Sequence, residues 1–384
     1  MIYLDNAATS WPKPDSVVDA VSDFMNNIGA NPGRSGHKKS MEAEWLRLDA
    51  RELLSELLGG SDPFRVIFTL NVTEAINLAI GGLVKKGDRV VTTSMEHNAV
   101  MRPLRHLENT LGIEIVLVPT IDNGKLDIDE MEKTLKDGAK LVVVNHASNV
   151  FGTIVNIGEV GVLTKRFGIP LLVDAAQTAG SIPIDMKKDF IDILAFTGHK
   201  ALLGPTGTGG LIFGEDFDYK GLPPVIFGGT GSKSEAEYQP DFLPDKYESG
   251  TANIAGIAGL REGVRWVLDR GLDHIRAHEV GITDRMIRGL SDIKGVRVIG
   301  PGDAGLQTAT VSFVVEGMEL SDVAMRLCDD YDIMCRVGLH CAPRAHMTLG
   351  TFPKGTIRFG MGPFTTVGEV DTAVEAVSLI VGRG

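Results

Sequence analysis

The feature that most constrains this chain is a series of short, unbroken apolar runs. They are "RVIFT" (65–69), "RVVTT" (89–93), "IEIVLV" (113–118), "LVVVN" (141–145), "PLLVDAA" (170–176), "DILAFT" (192–197) and "GGLIFG" (209–214). A strand with one wet face alternates apolar and polar residues; these runs do not, so both of their faces must be covered. Helical patterns lie between several of them, such as "TEAINLAIGGL" (73–83) and "DEMEKTLKDG" (129–138). The pattern predicts an α/β fold built on a parallel or mixed sheet. No repeat of solenoid length interrupts it.

Residues 215–253 break the alternation. They are rich in Gly, Pro and charge and have little periodicity; a loop of that length is functional or a linker. Beyond it come a helical "IAGIAGLREGVRWVLDRG", the strands "VRVIG" and "TATVSFVVEG", a helix at 320–330, "DIMCRVG" as one strand, "GTIRFGM" as another, and a last helix opened by the capping box "TVGE" (366–369). The expected organisation is an N-terminal segment, 1–14, packed on the small domain, a large α/β domain, 15–254, and a small α+β domain, 255–384.

Composition excludes several functions. The net charge is −12 with no basic cluster, which argues against nucleic acid or an anionic membrane as partner. No apolar run approaches a membrane span, and "MIYLDNAATS" lacks the basic and apolar regions of a secretory signal. Three cysteines do not make a disulfide framework. The expectation is a reduced, cytoplasmic protein.

Ligands of open α/β sheets bind beyond the carboxyl ends of the strands, so the polar residues there carry the functional signal. Asn71, Thr73 and Glu74 follow the first run; Glu96, His97 and Asn98 follow the second. His146, Ser148 and Asn149 follow 141–145, Asp174 and Gln177 come from 170–177, and Thr197, His199 and Lys200 end 192–197. A lysine at such a strand end can form a Schiff base with an aldehyde cofactor. Pyridoxal 5'-phosphate would then serve as electron sink, with Asp174 holding its ring-nitrogen proton. His97 would stack on the ring, and Asn149 and Gln177 would bond the phenolic oxygen. Thr73, Thr197 and His199 would hold the phosphate at a helix N-terminus. The glycines after Lys200 would let backbone pass close to the ligand. Taken singly these residues have plainer explanations: a solvated loop lysine, a capping aspartate, a satisfied polar histidine. The glycine run is not a Walker loop, because no GK[ST] follows at the required spacing.

The ordered motifs "YLDNAATS", "TEAINLA", "EHNAV", "SNVFGT", "VDAAQTAG", "FTGHKALLGPTGTGGL", "ESGTAN" and "RVGLHCAP" resemble those of class V aminotransferase-fold enzymes, most closely the cysteine desulfurase and selenocysteine lyase family. The resemblance spans nearly the whole chain. It implies the type I pyridoxal-phosphate fold: a large domain on a mostly parallel seven-stranded sheet, a small C-terminal domain, and a homodimer. It implies Lys200 as the cofactor anchor, Asp174 as ring-nitrogen partner, Gln177 on the phenolic oxygen and His97 as the stacking group. Asn149 would lie near the cofactor oxygen and the substrate carboxylate, with Thr73, Thr197 and His199 on the phosphate. Thr251 in "ESGTAN" matches a threonine that reaches the partner subunit's phosphate. Arg358 in "GTIRFGM" matches the arginine that clamps the substrate carboxylate, a task suited to its bidentate geometry.

Cys341 in "RVGLHCAP" matches the nucleophilic cysteine that separates desulfurases from transaminases, which need no thiol. Cys328, on a helix with Leu320, Ala324 and Leu327, and Cys335, alternating with Ile333 and Val337, fit buried structural cysteines instead. Cys335, His340, Cys341 and His346 match no familiar zinc spacing. The chain departs from the family at Val337, where a small hydroxyl residue is usual, at Leu339, where a second histidine is usual, at "ANPGRSGH" (30–37) and at "GTGSKSE". The implied reaction converts L-cysteine to L-alanine. Lys200 moves the Cα proton and Cys341 takes the substrate sulfur as a persulfide, for delivery to an acceptor protein or small thiol. A cation such as Arg336 would help ionise Cys341. The alternatives are a selenocysteine lyase acting on selenocysteine, a related aminotransferase-like enzyme, and a non-catalytic pyridoxal-phosphate-binding scaffold or regulator.

Overall fold

The computed structural model describes residues 1–33 and 36–382; Arg34 and Ser35 of the "ANPGRSGH" stretch lie outside the described residues. The strands, in chain order, are β1 (Ile2–Tyr3), β2 (Val66–Thr69), β3 (Arg89–Thr93), β4 (Glu114–Val118), β5 (Thr120–Ile121), β6 (Lys125–Leu126), β7 (Leu141–Asn145), β8 (Leu171–Asp174), β9 (Ile193–Thr197), β10 (Gly209–Phe213), β11 (Val296–Ile299), β12 (Thr310–Val315), β13 (Ile333–Met334), β14 (Arg336–Gly338) and β15 (Thr356–Gly360).

The seven apolar runs form one seven-stranded sheet in the order β2-β10-β9-β8-β7-β3-β4. The pairs β9-β8, β8-β7, β7-β3 and β3-β4 are parallel, and β10 runs antiparallel to both neighbours. Successive side chains point to opposite faces. Val142 and Val144 of β7 therefore join one apolar layer and Leu141 and Val143 the other; in β9, Leu194 and Phe196 part from Ile193 and Ala195 in the same way. Helices Val72–Leu83 and Asn98–Leu111 cover one face, and Lys38–Leu58, Ile157–Phe167 and Ile254–Arg270 cover the other.

Two glycines have an architectural use. A Cβ on Gly209 would lie 2.7 Å from the backbone of Asn71, and one on Gly210 would lie 2.3 Å from the carbonyl oxygen of Ile67. They let β10 pass close to β2 and to the start of the next helix.

A four-stranded sheet, β11-β12-β15-β14, has its own apolar core with helices Leu272–Ser291, Leu320–Tyr331 and Val367–Gly382. The last helix starts as its capping box requires: Thr366 N donates to Glu369 Oε2 at 2.7 Å, and Glu369 N donates to Thr366 Oγ1 at 3.2 Å. "DIMCRVG" is not one strand. It divides at Cys335 into β13, which pairs in parallel with β1, and β14, which pairs with β15. The two halves bond different partners, so a single ladder cannot run through them. Cys328 is also not buried: it lies on the exposed face of its helix, while Leu320, Val323 and Leu327 fill the core side. Among the described residues no helix is long and apolar enough to cross a membrane.

Within 215–253 the described secondary structure is the short turn Tyr219–Gly221. Side chains supply the missing regular bonding. Tyr247 OH donates to the carbonyls of Tyr219 and Leu222 at 2.9 and 2.8 Å, and Lys246 Nζ donates to Asp241 Oδ1 at 2.7 Å and Lys220 O at 3.0 Å. Near its end Glu248 receives the buried Arg51: Nη2 lies 2.7 and 2.6 Å from the two carboxylate oxygens. Phe68 N donates to the same carboxylate at 2.7 Å, and the Arg51 guanidinium stacks 4.6 Å from the Phe68 ring. One ion pair thus joins the helix Lys38–Leu58, the edge strand β2 and the end of the irregular segment. Removing Glu248 leaves the Arg51 charge buried without its counter-charge, and removing Arg51 leaves Glu248 with only the more distant Arg47, 3.5 Å away. Arg51→Ala should destabilise the protein by about 3–5 kcal/mol. The double variant Arg51→Met/Glu248→Leu should lose less than the sum of the two single changes. Urea denaturation of the set reads both effects.

Candidate active site

Lys200 stands three residues past the end of β9, and N-terminal residues fix its backbone. Ser10 Oγ donates to Lys200 O at 2.8 Å. The neighbouring carbonyl, His199 O, receives Ser10 N at 3.0 Å, Thr9 Oγ1 at 3.1 Å and Lys13 Nζ at 3.0 Å. Loss of hydration pulls the Lys200 amine down to about 8; Asp174 opposes this, and Arg358 and Arg336 add to it.

Asp174 ends β8 and is buried, with Oδ1 accepting from Ala176 N at 2.9 Å. Burial raises its pKa, while the Ala176 hydrogen bond and Lys200 work against the rise. His97 caps the helix Asn98–Leu111, its Nδ1 accepting from Ala99 N at 3.0 Å. That bond assigns the ring proton to Nε2. Burial, then Lys200, Arg102 and Arg358, bring its pKa to about 4, so the ring is neutral at neutral pH. His199 is lowered to about 4 by burial, Lys200 and Lys13.

Several buried polar atoms here have no partner: Thr197 Oγ1, His199 Nδ1, Asn149 Oδ1 and Arg358 Nε. Unpaired buried donors and acceptors are costly. Their concentration around Lys200 is the arrangement expected where an anionic, hydrogen-bonding group is to be bound, and the residues present fit pyridoxal phosphate. Thr73 is exposed on the first turn of the helix Val72–Leu83, whose cap is Asn71 Oδ1 accepting Glu74 N at 3.0 Å. Gln177 spends its Nε2 proton on Ala7 O at 3.1 Å.

Arg358, on β15, is 2% exposed. Its Nη1 donates to Asn149 O at 3.0 Å and its Nη2 to Asp5 Oδ1 at 2.8 Å. Asn149 Nδ2 in turn donates to His340 O at 2.6 Å. This ties the β7 end, the β15 arginine and the loop of Cys341 into one chain of contacts. Cys341 is exposed, in a left-handed backbone conformation (φ 58°) next to His340 (φ 47°), and its carbonyl receives Asn98 N at 2.9 Å. Burial lowers the pKa of Arg358; Asp5 and, more weakly, Cys341 oppose the fall, so Cys341 and Arg358 are within electrostatic reach. Arg336 faces Asp5, its Nε 3.5 Å from Oδ2. Cys335 is half-buried, and burial pushes its thiol up to about 12. His340 Nε2 contacts Thr356 at 3.1 Å and His346 Nδ1 contacts Thr351 Oγ1 at 2.7 Å.

Thr251 is not in this cluster. It is exposed on the wall of a separate cavity of about 590 Å³, shared with Asn31, Arg47, Thr69, Glu74 and Ser249. Two residues gained no role from the sequence. Asp5 lies inside the quoted motif "YLDNAATS", but nothing local says that it meets Arg358. Glu96 precedes His97 and is fully buried; its Oε1 accepts from Thr93 Oγ1 at 2.7 Å and Asn145 N at 3.1 Å. Burial, with a contribution from Asp174, pushes it up to about 8.

The same placement of strands and motifs recurs in known proteins. The family model "Aminotransferase class-V" matches residues 2–373. A probable cysteine desulfurase of Pyrococcus abyssi is 35% identical, covering 99% of this chain and 94% of its own. One from Halobacterium salinarum is 36% identical, covering 98% and 91%. Among solved structures, the apo cysteine desulfurase of Thermococcus onnurineus NA1 superposes with a TM-score of 0.94 at 35% identity, covering 100% of this chain and 95% of that one. The cysteine desulfurase CsdA (S-sulfonic acid) from Escherichia coli gives 0.88 at 27% identity, covering 99% and 94%. A full-length family match, joined to relatives above the 30% level over the whole chain, settles the lineage: the chain belongs to the aminotransferase class-V family.

Proposed function

We propose that the protein is a pyridoxal-phosphate-dependent cysteine desulfurase that converts L-cysteine to L-alanine and carries the sulfur on Cys341. The observation that supports it most is the joining of Arg358 to an exposed cysteine loop through Asn149 and His340, with Lys200 within electrostatic reach of both Asp174 and Arg358. Bound pyridoxal phosphate supplies an electron sink for the pair released at the substrate Cα. Asp174 would hold the proton of the ring nitrogen, His97 would serve the ring as a neutral imidazole, and Gln177 and Asn149 would serve the phenolic oxygen. Thr73, Thr197 and His199 would receive the phosphate. Thr251 of each subunit reaches the phosphate of the other in a homodimer.

Arg358 and Asn149 hold the substrate carboxylate. Lys200, with its amine drawn to about 8, has a neutral fraction at neutral pH and can take the Cα proton. The Cys341 thiolate attacks the substrate sulfur. An S–S bond forms as the Cβ–S bond breaks, Cβ keeps the electron pair and takes a proton, and return of a proton to Cα completes alanine. The sulfur then passes to an acceptor protein or small thiol.

In the cofactor-free protein, acylation of Lys200 by a lysine reagent should rise with pH through about 8, well below the ordinary 10.5. Asp174→Asn removes a charge that stabilises the ammonium and should shift the profile lower still. Mass spectrometry of the Lys200 peptide across pH measures this; a profile centred at the ordinary value contradicts it.

Cys341→Ala should keep cofactor absorbance and L-alanine affinity. It should lose alanine formation from L-cysteine by roughly 100-fold or more, which is about 2.7 kcal/mol in barrier height. After one turnover the wild-type peptide containing Cys341 should carry one extra sulfur. Full activity in the variant, or the sulfur on Cys328 or Cys335, contradicts the assignment.

Sedimentation should give a dimer. When Thr251→Ala and Lys200→Ala subunits are mixed, each heterodimer should hold one site with both defects and one with neither, restoring about half of wild-type activity per dimer by site counting. A fully active monomer contradicts the shared site.

A further inference from the structure

The motif "YLDNAATS" has no part in the chemistry above, yet its aspartate occupies a central position. Asp5 Oδ1 lies 2.8 Å from Arg358 Nη2, and Oδ2 lies 3.5 Å from Arg336 Nε. The backbone beside it is fixed: Asp5 forms a β-bridge to Gly360, and Asn6 N and Nδ2 donate to Gly360 O at 3.0 and 3.1 Å. The Asp5 carboxylate is thus anchored two residues along the chain from Arg358. The other amino group of Arg358 is held by Asn149 O, and its Nε, buried, has no acceptor. A guanidinium has five N–H donors in a fixed plane. Two of its nitrogens are tied to protein oxygens on two elements, which fixes the plane, and an unpaired buried donor remains for an incoming anion.

The same short segment continues to Lys200. Tyr3 OH donates to Thr9 O at 2.9 Å, and Thr9, Ser10 and Lys13 close on the carbonyls of His199 and Lys200. Residues 5–13 therefore act as a strap with the substrate-carboxylate arginine at one end and the lysine at the other.

We propose that Asp5 is a positioning residue for substrate binding: it sets the Arg358 guanidinium plane and offsets its buried charge, so that the substrate carboxylate meets a donor already oriented and desolvated. This rests on the reading of Arg358 as the carboxylate ligand. Asp5 touches neither substrate nor cofactor in this role. Its effect should be selective for ligands that carry a carboxylate, and should fall on KM and Kd rather than on kcat.

The test uses the holoenzyme with Asp5→Asn, which keeps one acceptor, and Asp5→Ala, which keeps none, together with Arg358→Lys. Two ligands are titrated by their effect on the cofactor spectrum: L-alanine, and cysteamine, which has the amine and thiol but no carboxylate. Asp5→Ala should weaken L-alanine about tenfold, equivalent to about 1.4 kcal/mol. It should raise KM for L-cysteine similarly, leave kcat within a small factor, and leave cysteamine unchanged. Asp5→Asn should fall between Asp5→Ala and wild type, and thermal unfolding of the variants establishes that they are folded. Equal weakening of L-alanine and cysteamine, or unchanged L-alanine affinity in Asp5→Ala while Arg358→Lys weakens it, overturns the role of Asp5. Unchanged L-alanine affinity in Arg358→Lys overturns the underlying assignment of Arg358 as well.

Discussion

The constraint on which the rest depends is that the central sheet is covered on both faces. Its central strands are buried along their whole lengths, as in Leu141–Asn145 and Ile193–Thr197, while the edge strand Glu114–Val118 is only partly covered. Polar side chains are excluded from the strand middles, because nothing there could satisfy them. They can stand only at the ends, where the chain leaves the sheet. The polar and titratable groups of the candidate site are therefore concentrated at the strand ends by the same packing that makes the core. Glycines in β10 allow the edge strands to close up against the helix that starts there.

Concentrating charge at the strand ends has an electrostatic consequence. Burial pulls lysine and histidine toward their neutral forms and lifts carboxyls toward theirs. Lys200, His97 and His199 move one way, Asp174 and Glu96 the other. Arg358 cannot escape by deprotonation, so it is the group that must have a counter-charge at hand, and Asp5 is that charge. A lysine with a neutral fraction, neutral imidazoles and a compensated arginine are states a low-dielectric site can hold together before any anion arrives.

Much of this was legible in the sequence because it is local. Apolar runs, strand-end residues and the capping box at Thr366 each depend on neighbours a few positions away. So does the placement of Lys200, His97 and Asp174 at strand ends. What was not legible depends on which segments pair. The division of "DIMCRVG" follows from β1 and β15 taking separate halves, a choice made by strands far away in the chain. Cys328 read as buried because its helix carries Leu320 and Leu327 within reach, yet its own direction on the helix is outward. The role of Gly209 and Gly210 lay in the approach of Asn71 and Ile67, which no spacing within the glycine run encodes. Asp5 was visible as a motif letter, but its partner is 353 positions distant.

That distance has a consequence for how the molecule is assembled. The seven strands of the central sheet all lie before residue 214, so the large sheet has its full set of strands when little more than half the chain exists. The opening segment is made first but cannot complete its docking then: β1 waits for β13, and Asn6 waits for the carbonyl of Gly360. In a chain growing from its N-terminus, residues 2–6 cannot make these contacts until residues 333–360 exist, so the entropy cost of closing a loop of 354 positions is met late. The strap can close on His199 and Lys200 once the large sheet exists, but its Asp5 end must wait for Arg358, so the hold on the lysine can precede the setting of the arginine.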